Sequence, residues 1–444
     1  MNSNIDLKKL EQLEEAYRKD DKNTILRHAL SNNQFFNVIA SSDDKENANF
    51  HFSIDIKTLP VSNQKKSGRC WIFSACNVLR EIIAKKLDIQ GQFELSQNYI
   101  SYYDKLEKYN YYMEGIIDLA KQKEPHDSRK VEFLLRAGVS DGGQWDMFVN
   151  LAKKYGIVPK SAFLETAQSE MTYPSSQYCN GLLRQFAAEV YEHPDAEREE
   201  LENIKEKYFS AIYSVFTSSF GIPCKTFDFS YRDSQGQYHC ERNLTPHSFF
   251  DKYIGNEIDE YVSLIHAPTK DKKYNQTYTV ELVGNVYGGK DVTHFNVPFS
   301  RLEELIIEQL KHDQIVWFGS DVSYFNLREE GLWDEKSFDY VTPFGYDLVF
   351  DKAQMLDFYH SAMNHAMVIT GVNLVDGKPT RWKIENSWGD QSGKKGYYAM
   401  GEEFFTHFVY QAAIKKCYLN EDELKALEKK PEILPPWDPF GTLA

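Results

Sequence analysis

The stretch Gln64-Lys65-Lys66-Ser67-Gly68-Arg69-Cys70-Trp71 sets an amide side chain six positions before a cysteine, and that cysteine opens a run of apolar residues at helical spacing. Ile72, Ala75, Cys76, Leu79, Ile82 and Ile83 bury one face of the helix they predict, so Cys70 falls in its first turn. Unpaired backbone N–H groups and the positive end of the macrodipole gather there, and both favour a thiolate. Gly68 suits a turn where backbone approaches a substrate, and Gln64 offers an amide donor to an oxyanion beside the sulfur. A lone helical cysteine is more often inert core, so its partners decide the chemistry.

The partners come late in the chain. His365 to Val375 is rich in β-branched residues and ends at Asp376-Gly377, a hairpin-turn signal. The following run alternates, with Trp382, Ile384 and Asn386 on one face and Arg381, Lys383 and Glu385 on the other, the pattern of a half-buried strand. A turn centred on Asp376-Gly377 sets position 365 opposite position 388, with Asn386 next on that face; a longer loop through Lys378 and Pro379 shifts this register. Asn386 then accepts a hydrogen bond from the His365 imidazole, and Trp388 shields that bond from water. Cysteine, histidine and asparagine in these roles make a nucleophilic site.

Five blocks carry a resemblance. They are 64–74 (QKKSGRCWIFS), 141–145 (DGGQW), 364–371 (NHAMVITG), 383–396 (KIENSWGDQSGKKG) and 434–444 (LPPWDPFGTLA). In this order they resemble the papain-like cysteine peptidases and, within them, the aminopeptidase C and bleomycin hydrolase family. The resemblance implies an α+β, two-lobed papain-like fold, a helical lobe beside an antiparallel β lobe, with an inserted helical subdomain and a strand-rich hook. It implies Cys70, His365 and Asn386 as catalytic residues, Gln64 in the oxyanion hole and Trp388 shielding the triad. It further implies that the backbone of Gly142 and Gly143 pairs with substrate and that the carboxylate of Ala444, at the end of an arm lying in the cleft, meets the substrate's α-amine. A homohexamer enclosing its active sites, acting on peptides, belongs to the same expectation. Gly142-Gly143 also reads as a plain turn opening a helix from Trp145 to Tyr155.

Cys70 and His365 lie about 295 positions apart, where a simple papain-like chain needs roughly 130 to 150. The excess predicts interleaved parts: an N-terminal segment over 1–60, a helical lobe over 61–175, an insert with its hook over 176–290, a β lobe over 291–433 and the arm over 434–444. Asn180 to Phe220 repeats at helical intervals, Lys225 to Leu244 alternates around Ser234-Gln235-Gly236 as a hairpin, and Tyr278 to Val286 has strand character. Tyr99, Tyr102 and Leu106 share a helical face and read as packed core rather than base-stacking platforms. The prolines at 435, 436 and 439 stiffen the tail into an extended, non-helical form, yet Trp437, Phe440 and Leu443 are apolar in a way that a solvated tail is not.

Composition narrows the function classes. Six cysteines in 444 residues show neither metal-ligand spacing nor a dense disulfide framework, and Ser67 stands where secreted relatives carry a disulfide-bonded cysteine. His247, His294 and His360 lack ligand spacing as well, so neither a metal nor a cofactor is expected. The start of the chain has no apolar export core and no later stretch has membrane-spanning length, which points to the cytoplasm. A net charge of −15, from 51 basic and 66 acidic residues, opposes nucleic-acid binding, the non-enzymatic alternative. Two enzymatic alternatives stay open: an endopeptidase of the same family, and an acyltransferase in which an amine rather than water resolves the thioester.

Overall fold

A computed structural model describes residues 4–41 and 49–443 and shows an α+β protein. Its central sheet is built from strands too apolar to face water. Tyr261–Ile265 and Val316–Ser320 are buried along their whole length, and Val409–Lys415 and His365–Val375 along most of theirs. Such strands need cover on both faces. Across the sheet the order is Tyr261–Ile265, Val409–Lys415, Val316–Ser320, His365–Val375, Lys378–Glu385, Tyr397–Gly401, every neighbour antiparallel. The helix Cys70–Leu87 packs on this sheet, where Ser74 Oγ donates to the carbonyl of Ala366 at 2.9 Å.

The hairpin turn lies where the sequence places it. Val375 pairs with Lys378, and Asp376 and Gly377 have φ of 50° and 78°, the two left-handed residues of a tight two-residue turn. Each strand then carries an irregularity, one between Ile369 and Gly371 and one between Leu374 and Asn373, opposite Pro379 and Arg381. They offset each other, so the register returns by Val368 opposite Glu385. The ladder stops at that pair. His365 therefore pairs with Ser320 on the other side rather than with position 388. Glu385 also departs from its expected solvated face: it is 1% exposed, because Arg80, Asn77 and Thr58 meet its carboxylate there.

Gln97–Lys121, Tyr173–Glu192 and Arg198–Phe220 enclose a second core around Met113, Ile116, Leu183, Phe186, Ile212 and Phe216. The helical periodicity after Asn180 thus belongs to two helices, and Tyr99 and Tyr102 are buried as packed core. Phe227–Arg232 and Tyr238–Leu244 form the hairpin around 234–236, its loop tied by the Asp233 carboxylate to the N–H groups of Gln235 and Gln237. Residues 261–280 join the main sheet, and the strand expected over 278–286 ends at Val280.

The tail is not extended throughout. Glu432–Leu434 adds in parallel to Gln276–Val280, and Pro439–Gly441 then forms one 3-10 turn. Proline is tolerated at the first position of such a turn, whose N–H would have no partner anyway, and Asp438 caps the turn by accepting from the N–H of Phe440 at 2.9 Å.

Trp382, in the strand leading to Asn386, donates its indole N–H to Glu402 at 2.7 Å. Burial, together with the neighbouring Glu303 carboxyl, holds Glu402 up to about 8. A carboxyl whose folded value is raised adds its stability below the unfolded carboxyl range and loses it as pH rises through the folded value. Glu402→Gln, which keeps the acceptor but cannot ionise, is expected to melt above the parent protein at pH 9 and level with it at pH 5. Equal melting temperatures at both pH values would contradict this.

Candidate active site

Cys70 is the first residue of its helix, and Arg69 before it supplies no side-chain cap. Of the first-turn N–H groups, those of Cys70 and Trp71 face the sulfur, while those of Ile72 and Phe73 donate to the carbonyl of Arg69. Sγ lies 3.5 Å from the backbone N of Ala366, so the thiol sits against the start of the His365 strand. Cys70 and His365 are both buried, at 2% and 5% exposure.

His365 Nε2 lies 2.9 Å from Asn386 Oδ1. The backbone N–H of Ser387 donates to the same oxygen at 2.8 Å, which identifies that atom as the amide carbonyl. An amide oxygen only accepts, so Nε2 carries the proton of this bond and Nδ1 is the nitrogen left for exchange. Trp388 stacks on the imidazole with ring centroids 5.0 Å apart and 28° between planes, and the guanidinium of Arg328 lies 4.6 Å from the indole centroid. The His365–Asn386 neighbourhood thus forms without the ladder pair expected for it.

Gln64 is held from both ends. Its Nε2 donates to the carbonyl of Ser67 at 2.6 Å, and its Oε1 accepts from Ser387 Oγ at 2.5 Å. Among the described residues the second amide hydrogen has no partner, and it is the one an oxyanion would take. The backbone N–H of Gln64 donates to Ser387 O, and that of Gly389 to Ser62 O, so 62–64 and 387–389 run side by side. The same turn that orients Asn386 thereby fixes the amide donor.

Burial is the largest influence on the titration of both Cys70 and His365. It pushes the Cys70 thiol up to about 11, against the lowering by the N–H groups of Ala366, Trp71 and Cys70 itself. Desolvation thus opposes the helix-terminus contribution at the sulfur. Burial likewise holds His365 down to about 4, with the Asn386 hydrogen bond opposing it. Each charge is disfavoured alone, so a proton moved from sulfur to imidazole creates both as an attracting pair.

Gly143 has no room for a side chain, because a Cβ there would meet the indole of Trp71 at 2.4 Å. The carbonyl of Gly142 accepts from Lys108 Nζ at 2.6 Å. Gln144, next in the chain, donates to the carbonyl of Thr442 at 2.6 Å and so brings the tail to this wall. Farther back the tail is held by a buried Asp438–Lys272 ion pair at 2.7 Å, by Phe440 packed near Tyr410 and His294, and by the guanidinium of Arg129 3.8 Å from the Trp437 ring centroid. Ala444 lies outside the described residues.

The supporting polar residues escape a reading of apolar periodicity. Ser74, Asn77 and Glu81 follow Cys70 at intervals of four, seven and eleven, on the cysteine's own helix face. Asn77 donates to Glu385 at 2.8 Å, and Glu81 accepts from the N–H of Leu59 at 2.9 Å. Arg80 reaches Glu385 at 2.9 Å, Glu81 at 3.2 Å and the carbonyls of Leu59 and Pro60. Three polar positions on the Cys70 face of a largely apolar helix were the available signal. Ser387 and Gln144 stood inside blocks already singled out.

The sequence matches the Peptidase C1-like family over residues 4–441. It is 44% identical to Aminopeptidase C of Lactobacillus delbrueckii subsp. lactis over 449 residues, covering 100% of this chain and 99% of that protein. Human bleomycin hydrolase is 37% identical over 403 residues, with 89% and 88% covered. The crystal structure of PepW from Lactobacillus rhamnosis HN001 superposes with a TM-score of 0.97 at 42% identity, covering all of both chains.

Removing one partner of a buried ion pair strands the other, at a cost of roughly 3–5 kcal/mol. Arg80→Met is expected to lower stability by that order in urea unfolding, and Arg80→Met with Glu385→Leu to recover most of it. Equal losses in the single and double variants would refute the pairing.

Proposed function

Because this chain belongs to the Peptidase C1-like family, we propose that it is a cysteine aminopeptidase, releasing residues from the free amino end of peptides through Cys70, His365 and Asn386. The observation that carries the reading is the convergence of the thiol, the tautomer-fixed imidazole and the Gln64 amide on one buried wall that the chain's own tail reaches.

His365 Nδ1 takes the Cys70 proton as a peptide carbonyl approaches, and the sulfur attacks the carbonyl carbon. The developing oxyanion accepts from the Cys70 backbone N–H and the free hydrogen of Gln64 Nε2. The imidazolium passes its proton to the leaving amine, and the C–N bond breaks to leave a thioester on Cys70. Water, deprotonated by His365, hydrolyses that thioester and restores the thiol.

Selection of the amino end rests on the tail. Gln144 and the Asp438–Lys272 pair direct it along the wall beside Trp71, which supports a chain terminus that blocks longer substrates and receives their α-amine. Assembly and address follow the same reading. Exposed Leu7, Leu10, Tyr346, Phe358 and Tyr359 support association of copies into a homohexamer, and six free cysteines support the cytoplasm.

Matched peptides with free and acetylated amino ends test this directly by mass spectrometry of their products. The enzyme is expected to trim only the free peptide, and a variant lacking residues 440–444 to cleave the acetylated one at internal bonds. Trimming confined to free amino ends in the truncated variant would overturn the role of the tail.

A further inference from the structure

Behind the Gly142–Gly143 wall lies a buried group of four charges that the chemistry above does not use. The helix Gln97–Lys121 carries Asp104, Lys105 and Lys108, none more than 5% exposed. Lys108 pairs with Asp104 at 2.7 Å and Lys105 with Asp141 at 2.5 Å, so the group is neutral overall. Well-packed apolar side chains would stabilise the core as well or better, which leaves these charges unexplained by folding alone.

What the lysines touch explains them better. Lys105 Nζ donates to the carbonyl of Ser140 at 3.2 Å, and Lys108 Nζ to the carbonyl of Gly142 at 2.6 Å. The carbonyl of Asp141, between those two, accepts from the Trp71 indole N–H at 2.7 Å. Three consecutive carbonyls thus have donors from side chains of the body. Gly143 differs: among the described residues its N–H and C=O have no hydrogen-bond partner. The Asp141 carboxylate meanwhile accepts from the N–H of Gly68 at 2.9 Å and from the Thr172 hydroxyl, which fixes the wall relative to the turn before Cys70. Lys108 Nζ also lies 5.0 Å from the Trp71 ring centroid, and that ring covers Gly143.

We propose that Lys108 and Lys105 are positioning residues for peptide binding: they hold the carbonyls of 140 and 142 away from the cleft and leave the backbone of Gly143 as the edge that pairs with an extended substrate. An apolar core fills the same space but leaves those carbonyls free to turn, and the edge loses its single register. The inference rests on the reading that the Cys70 site takes peptides.

The test uses the full-length enzyme with Lys108→Met and Asp104→Leu combined, so that no unpaired charge is left buried. A free-amine tetrapeptide serves as substrate, and iodoacetamide, which needs no backbone pairing, reports on Cys70. The expected result is a KM raised about tenfold or more, with the melting temperature preserved and Cys70 alkylated at the parental rate. Where that pair does not fold, Lys108→Gln with Asp104→Asn removes the charges and falls one bond short of the Gly142 carbonyl, with the same KM rise expected. An unchanged KM in a folded variant overturns the proposal, as does alkylation slowed in step with turnover, which would make the group a support of the nucleophile. If the parent enzyme shows no Cys70-dependent hydrolysis of the tetrapeptide, the peptidase reading itself fails, a result separate from either.

Discussion

The arrangement depends on one buried ion pair, Arg80 with Glu385, which joins the cysteine's helix to the strand whose next residue is Asn386. Neither side chain meets solvent, and each has several partners: Asn77 and Thr58 on the carboxylate, Glu81 and two backbone carbonyls on the guanidinium. A pair buried this deeply adds little net stability over an apolar filling, because two desolvated charges start far uphill. What it adds is direction. A guanidinium holds its donors in a fixed plane, and the four Arg80 bonds to Glu81, Leu59, Pro60 and Glu385 set the placement of 59–60 against 385. Gln64 and Asn386 lie a few residues beyond those anchors, so the polar network aligns the two sides of the site while apolar packing fills the rest.

The same burial shapes the chemistry. Burial holds the thiol high and the imidazole low, so either charge alone is disfavoured and the two are favoured only as a pair. The site contains the partners that such charge would need: the N–H groups of Cys70 and Trp71 donating at the sulfur, the Asn386 carbonyl accepting at the imidazole, and the Gln64 amide beside them. None has to reorient, which is what preorganisation means in a water-poor cleft.

Much of the site was legible in the sequence because its signals are local. A cysteine opening an apolar helix, a histidine opening a β-branched strand and an Asp-Gly turn each follow from a few adjacent residues, and the structure has them at those positions. Two features were not legible. The hairpin leaves and regains its expected register through two offsetting irregularities, which leave no mark in the alternation of side chains. Glu385 looked solvated because period-two patterning sees charge as outward, while its partners lie some 300 residues upstream in the chain. The tail shows the reverse case: its prolines argued for extension, and a single capped turn at 439–441 forms because Asp438 is buried against Lys272.

The central claim is that Cys70 forms a covalent thioester during turnover. Acid-quenching the enzyme within milliseconds of mixing with a free-amine peptide and analysing its digest by mass spectrometry tests this most directly. The account predicts an added mass equal to one acylating amino-terminal residue on the fragment containing Cys70, vanishing when substrate is exhausted. Steady hydrolysis with Cys70 unmodified at every quench time, and unaffected in Cys70→Ala, would contradict it.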